Sequence, residues 1–251
     1  MKKKMILYSL ACLFLFSLVL LPTQAKGDYL IKKKRHTDAV KIMGQSQPAK
    51  DEEGATWMGK DKMREDEGQT KSTVVRFDLK KIYIIEHDKK QYAEIDLPVD
   101  FDKVLPPQAK QMMQMMKATA KVTQTQETQT INEWNCIKYL VEIGISMMGM
   151  EMPMKMEMWV TKDLGIDLDQ YAQFYSEMIS IQPMFKDFGE EFQKIDGYPV
   201  KTEMTMSMMG TETRSLEEVI SADEMDVPEG TYDIPEGYTK TDTYNPFDQK
   251  R

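Results

Sequence analysis

Met150-Glu151-Met152-Pro153-Met154-Lys155-Met156-Glu157-Met158 alternates without a break: every second residue is methionine, and those between are charged or proline. Successive side chains of a strand point to opposite faces. As a strand, the segment has a thioether stripe on one face and charge on the other. As a helix, it would have methionine all around its axis. The period of two therefore predicts a strand. Pro153 cannot donate to a ladder, so the strand is expected near a sheet edge or bulged at that point. Methionine has no strong strand preference, so the stripe calls for a reason beyond local propensity. The pattern recurs downstream. Met204, Met206 and Met208 alternate with Glu203, Thr205 and Ser207 in a strand expected over residues 198–209. The chain carries 23 methionines in 251 residues, and they cluster in such stretches.

Upstream, residues 55–97 read as a meander. Short strands are expected at 55–58, 62–66, 73–79, 81–86 and 91–97, joined by polar links such as Gly59-Lys60-Asp61, Glu67-Gly68-Gln69 and His87-Asp88-Lys89-Lys90. Sequential hairpins imply antiparallel neighbours in one sheet. Pro106-Pro107 then opens a helix, proline being well placed in a first turn. Ala109, Met112, Met113 and Met116 fall at i, i+3, i+4 and i+7, which makes a second methionine-rich surface.

Strands are expected again at 120–130, 134–145 and 150–161. Residues 163–195 read as helix in two pieces broken near Pro183, and 212–222 as a further strand. Pro228-Glu229-Gly230 and Pro235-Glu236-Gly237 read as turns. Strands with one apolar face and a few amphipathic helices predict an α+β fold: a strongly curved antiparallel sheet, an open half-barrel, with helices covering its concave face. Met152–Met158 and Met204–Met208 would line that face, and the helix around Met112–Met116 would cap it.

The first 25 residues carry Lys2, Lys3 and Lys4, an apolar run over 5–21, and Thr23-Gln24-Ala25 at the end. This is the pattern of a signal peptide cleaved after Ala25, and it predicts a periplasmic or secreted protein. No later apolar run is long enough to span a membrane. Removing residues 1–25 leaves 30 basic and 41 acidic side chains, a net charge of −11. That balance disfavours nucleic acid and anionic lipid headgroups. Residues 26–239 are expected to form one domain and 240–251 a flexible tail.

No pattern of enzymatic chemistry appears, and neither a nucleophile elbow nor a phosphate loop is present. No catalytic residue and no cofactor are assigned. His36 and His87, the two histidines, read as solvated. Cys136 reads as a small buried hydrophobe. Asp163, Asp167 and Asp169 suit a helix start better than calcium. Lys32-Lys33-Lys34-Arg35 reads as a solvated strand or an edge protected by charge.

Met112, Met113, Met116, Met152, Met154, Met156, Met158, Met204, Met206 and Met208 remain as the candidate ligand-binding set. Four readings stay open for them: an ordinary core, a flexible apolar ligand surface, a Cu(I) or Ag(I) site built of thioethers, and scavenging of oxidants.

Several segments resemble a known superfamily. Trp57-Met58-Gly59-Lys60-Asp61-Lys62-Met63-Arg64 and Arg76-Phe77-Asp78-Leu79-Lys80-Lys81-Ile82-Tyr83, with the helix after Leu97-Pro98, are similar to the LolA/LolB-like proteins of the bacterial envelope. Trp134-Asn135-Cys136-Ile137-Lys138-Tyr139, Lys194-Ile195-Asp196-Gly197-Tyr198-Pro199-Val200 and Gly230-Thr231-Tyr232-Asp233-Ile234-Pro235 resemble more closely an uncharacterised exported branch of it, a domain of unknown function. The resemblance covers most of residues 28–238. It implies an open barrel around a hydrophobic cavity that in the carriers shelters acyl chains, and a partner that is an envelope protein or lipoprotein. The expected function is thus a non-enzymatic carrier or sensor of a lipid-like or other apolar ligand. A periplasmic Cu(I)/Ag(I)-binding protein is the alternative, and an enzyme of unknown type comes third.

Overall fold

The structure is a computed structural model, and it describes residues 27–42, 45–147, 149–180, 188–208 and 210–241. The elements run β1 (Asp28–Thr37), β2 (Val40–Ile42), β3 (Gln45–Gln47), β4 (Lys50–Met58), β5 (Lys62–Glu67), β6 (Lys71–Arg76), β7 (Lys81–Glu86), β8 (Gln91–Asp96), α1 (Phe101–Val104) and α2 (Pro107–Met115). There follow β9 (Met116–Ile131), β10 (Trp134–Met147), β11 (Met150–Thr161), α3 (Leu168–Ser180), α4 (Gly189–Phe192), β12 (Tyr198–Met208), β13 (Thr211–Met225) and β14 (Thr239–Thr241). Twelve strands form one sheet in the order β14-β8-β7-β6-β5-β4-β1-β13-β12-β11-β10-β9. Its two ends are β14 and β9, so the sheet is not closed into a barrel. β2 and β3 form a separate small hairpin.

The meander is as expected. β4 through β8 pair each with the next, antiparallel. β9 to β13 form a second antiparallel run, and β1 joins the two by pairing with β4 on one side and β13 on the other. Only β14 is parallel to its neighbour, β8.

Directly opposed residues share a face, so the registers define the two sides of the sheet. One side, here the inner face, carries Ile31, Met58, Met63, Val75, Ile82, Ile84 and Ile95, and Phe174 of α3 is packed into them. Phe174 is fully buried and stacks on Phe77 with 4.6 Å between ring centroids. Further along, Phe188 and Phe192 of the α4 region pack on Val122, Tyr139, Val141 and Ile143.

The other face of β4–β8 is covered by the chain's last turns. Val74, Tyr83 and Ile85 pack with Tyr232, and Trp57, Ile234 and Tyr238 flank them. Polar groups fasten this segment. Arg64 donates to the Thr231 carbonyl at 2.9 Å, Arg76 pairs with Asp233 at 3.3 Å, and the Tyr232 hydroxyl donates to Asp28 at 2.7 Å. The Gly-Thr-Tyr-Asp-Ile-Pro motif is thus a strap over the meander. Gly197, entering β12, has φ 138°, and a Cβ there would lie 2.5 Å from the Thr161 carbonyl oxygen, so the approach of these two strands requires glycine.

Several expectations are corrected. The basic run is not an edge, because β1 lies inside the sheet. Its alternation sends Lys33 and Arg35 to the inner face, and Lys34 pairs with Glu218 at 2.9 Å. The helix of 107–115 stops before Met116, which opens β9 opposite Met147. Strand pairing here outweighs the continuing helical period. The β11/β12 register shifts between Trp159 and Val160, where the extra residue is Val200 of β12, and not at Pro153. Pro153 sits opposite Gly144 in an interior strand. Its missing N–H is tolerated at the open end of the β12 ladder, which spans Met154–Thr161. Thr239–Thr241 extends past the expected start of the tail by pairing with β8. Residues 242–251, the expected leader 1–25 and the Pro183 break lie outside the described residues.

Candidate functional site

β11 and β12 bring the two methionine stripes together. Met154 lies opposite Met206 and Met156 opposite Met204. On the far side of β11, Met152, Met154, Met156 and Met158 oppose Ile145, Ile143, Val141 and Tyr139 of β10. The row continues to Ala118, Ala120 and Val122 of β9. All of these side chains share the inner face. Glu151, Lys155 and Glu157 are exposed on the opposite side, where Lys138 holds Glu157 at 2.8 Å. The period of two is therefore realised as expected.

Burial grades along the stripe. Met158 is 4% exposed and belongs to the core. Met152, Met154, Met156, Met204 and Met206 are half-buried. Met116 joins the same cluster from β9, as do Tyr175 and Ile179 from α3. The side chains of Met112, Met113 and Met208 lie outside the described residues. Of the expected helix face, Ala109 is buried.

A polar cluster that sequence reading missed adjoins this apolar face. The Lys33 ammonium lies 2.8 Å from Glu65 and 3.8 Å from Glu217, and Arg35 also pairs with Glu217. Burial opposes the charge on Lys33, yet Glu65, Tyr198 and Glu217 raise its pKa well above the ordinary value. Lys33 in turn holds the Glu65 carboxyl below the usual range, against burial. Tyr171 and Tyr175 of α3 and Tyr198 of β12 close over these charges. Tyr171 lies 4.6 Å from Tyr198 and 5.8 Å from Tyr175, ring to ring. Burial pushes the Tyr171 and Tyr198 phenols up and takes Tyr175 to about 12. The Thr56 hydroxyl is buried with no hydrogen-bond partner. The one signal in the sequence was the alternation Lys33/Arg35. Their partners lie 32 and 182 positions away, which no local pattern reveals.

His87 is not solvated as expected. Its Nε2 lies 2.7 Å from the Ser72 hydroxyl and its Nδ1 3.0 Å from the Tyr238 hydroxyl. Burial and the nearby Arg64 depress its pKa. A serine beside a histidine suggests nucleophilic catalysis, but here Asp66 and Arg64 bind the serine rather than orienting the histidine. Ser72 is 1% exposed, so the group fastens the C-terminal strap. His36 is exposed as expected, and its hydrogen bond to Asp51 raises its pKa. Cys136 is buried, and burial raises its thiol pKa. Asp167 caps α3 by accepting from the Gln170 N–H at 3.0 Å, and Asp163 accepts from Asn135. A cleft of about 560 Å³ near the β9–β10 bulge is lined by Gln124, Thr128, Lys162, Asp163 and Asp196 among others, and no methionine contributes to it. Among the described residues, no three His, Cys, Asp or Glu side chains are grouped to hold a metal ion, and no helix is long and apolar enough to cross a membrane.

A family model described as a domain of unknown function (DUF4412) matches residues 40–238, which runs from β2 to the end of the strap. The chain belongs to this family. No curated protein matches it. The matched span includes both methionine stripes, Glu65, Glu217 and the three tyrosines, and it begins after Lys33.

Proposed function

We propose that the protein is an exported, non-enzymatic carrier or sensor that holds a lipid-like or other apolar ligand against its methionine face. In this reading the sheet curves strongly, as in LolA/LolB-like proteins, and the helices lie across its concave side. The ligand contacts Met116, Met152, Met154, Met156, Met204 and Met206. One observation carries the reading: two methionine stripes meet in register on the inner face, and their side chains are half-buried rather than sealed. Where methionine is plain core in this chain, as at Met58 and Met63, it is fully buried. Unbranched thioethers adapt to chains of differing shape. Completing the burial of one such side chain is worth up to about 1.5–3 kcal/mol, so the six half-buried methionines leave ample energy for a ligand.

The test is native mass spectrometry of protein purified from its own host, followed by organic extraction. Bound lipid that is lost in a folded Met154→Lys variant supports the reading, because an ammonium there meets a large desolvation cost. A ligand-free protein with no internal pocket sinks it.

The register also favours a second reading, a periplasmic Cu(I) or Ag(I) site. Met154/Met206 and Met156/Met204 are two cross-strand pairs on adjacent rows, with opposed Cα atoms about 4.5–5.5 Å apart. Soft thioethers select Cu(I). Met→Leu at 152, 154, 156 and 158 separates the two readings. A lipid carrier retains its lipid, whereas a copper protein loses its metal.

A further inference from the structure

The polar cluster beneath α3 is deep and yet open. Burial opposes the charge on Glu65, yet 28% of its side chain remains accessible, and so does 29% of that of Glu217. The two carboxylates adjoin the methionine face. Glu217 lies opposite Thr202, and Thr202 opposite Met158. The next row of the same face is Met204 and Met156. Tyr175 bridges the two regions, with its ring against Tyr171 on one side and 6.1 Å from Phe192 on the other.

The charges in the cluster are matched. Lys33 and Arg35 are taken by Glu65 and Glu217. The unmatched groups are neutral. The hydroxyls of Tyr171 and Tyr175 make no hydrogen bond among the described residues. Thr56 Oγ1 is buried without a well-formed hydrogen bond, and the Tyr198 phenol stands beside it. A buried hydroxyl without a partner, as at Thr56, is uncommon and costly, whereas Tyr171 and Tyr175 are half-buried.

We infer that this cluster is the headgroup end of the ligand site, and that the ligand is an amphiphile with an uncharged, hydroxyl-bearing head. The inference rests on the apolar-ligand reading above. The chain of the ligand lies on the methionines, and its hydroxyls satisfy Tyr171, Tyr175, Tyr198 and Thr56. A carboxylate or phosphate head is disfavoured, because both cations already hold carboxylates and a third anion would stand beside Glu65 and Glu217. The phenols are protonated at neutral pH, as ordinary phenols are, so they can donate as well as accept.

Three probes of one chain length test this on the mature protein: monolauroylglycerol, lauric acid and methyl laurate. Each is measured by displacement of a fluorescent fatty-acyl probe below its aggregation concentration. The monoacylglycerol is expected to bind roughly tenfold more tightly than the other two, the effect of one or two net hydrogen bonds. Tyr171→Phe combined with Tyr175→Phe should remove most of that preference, with an unchanged circular dichroism spectrum and thermal midpoint reporting an intact fold. Thr56→Val should act in the same direction, and where it does not fold the tyrosine pair decides. Lauric acid binding as tightly as the monoacylglycerol would overturn the inference, as would an unchanged preference in the Phe variants. Both results leave the apolar-ligand reading standing. If none of the three probes binds, that reading itself fails and takes this inference with it.

Discussion

In β6 and β7, four of six residues in each strand are buried, in an unbroken run. In β11, burial alternates and the inner-face side chains are mostly half-buried. Both regions belong to one sheet. The meander half is packed on both faces, by α3 on one side and by the Tyr232 strap on the other. Its interior is isoleucine and valine, whose stiff branched side chains suit a single close-packed arrangement. The β9–β12 half has one wet face and an inner face on which buried Val141, Ile143 and Ile145 of β10 adjoin the half-buried methionines of β11 and β12. The difference separates a region that specifies the fold from one free to adapt to what it touches.

The largest expected effect tests the rigid half. Ile82→Ala and Ile85→Ala, both at fully buried positions on opposite faces, should each cost about 2–5 kcal/mol in urea denaturation. A loss below about 1 kcal/mol at either site would mean that this half is no better packed than the other.

The polar cluster comes next. Lys33→Met leaves Glu65 without its cation, while Glu217 keeps Arg35. The cost should be about 2–3 kcal/mol, below the 3–5 kcal/mol of a dry pair because both carboxylates keep some accessible surface. The pH dependence has a definite sign. Glu65 has a depressed pKa in the folded state, so its contribution is complete above the ordinary carboxyl value of 4.5 and is lost as the pH falls through the folded value. The variant should flatten that acid limb of the stability profile. An acid limb identical to the wild type's would remove the pair from the account.

A smaller effect tests the adaptable half. Met154→Leu and Met156→Leu should each change stability by less than about 1.5 kcal/mol. A cost comparable to that of Ile82→Ala would show that the stripe is ordinary core and would weaken the ligand reading directly.

The smallest effect concerns the histidines, which the two halves treat differently. His87, held under the strap, should titrate below 6.5, and His36, at the exposed end of β1, above it. For His87, stability falls as the pH drops from 6.5 towards the folded pKa, because only the unfolded chain takes up the proton there. For His36, the contribution is present below 6.5 and is lost as the pH rises through the folded pKa. Proton NMR resolves the two ring signals. His87→Ala should collapse the difference and loosen the strap, seen as faster amide exchange at Tyr232 and Tyr238.

The sequence by itself determined the elements whose causes are local. The period of two at 150–158 specified β11 and its two faces, and the polar links at 59–61 and 87–90 specified the hairpins of the meander. The apolar period announced α3, although the helix expected from residue 163 begins at Leu168, after the Asp167 cap. Each of these depends on residues a few positions apart, whose side-chain directions follow from strand or helix geometry alone. Tertiary structure decided what depends on distant partners. It turned the run at 32–35 from a charged edge into a central strand, because Glu65 and Glu217 from remote strands could neutralise Lys33 and Arg35. It ended α2 before Met116, because pairing with β10 outweighed the helical period. It drew His87 out of water, because the strap returned across the sheet to meet it. It also set the methionine face beside a cluster of hydroxyls, an adjacency that arises only when β1, β5, β12, β13 and α3 come together.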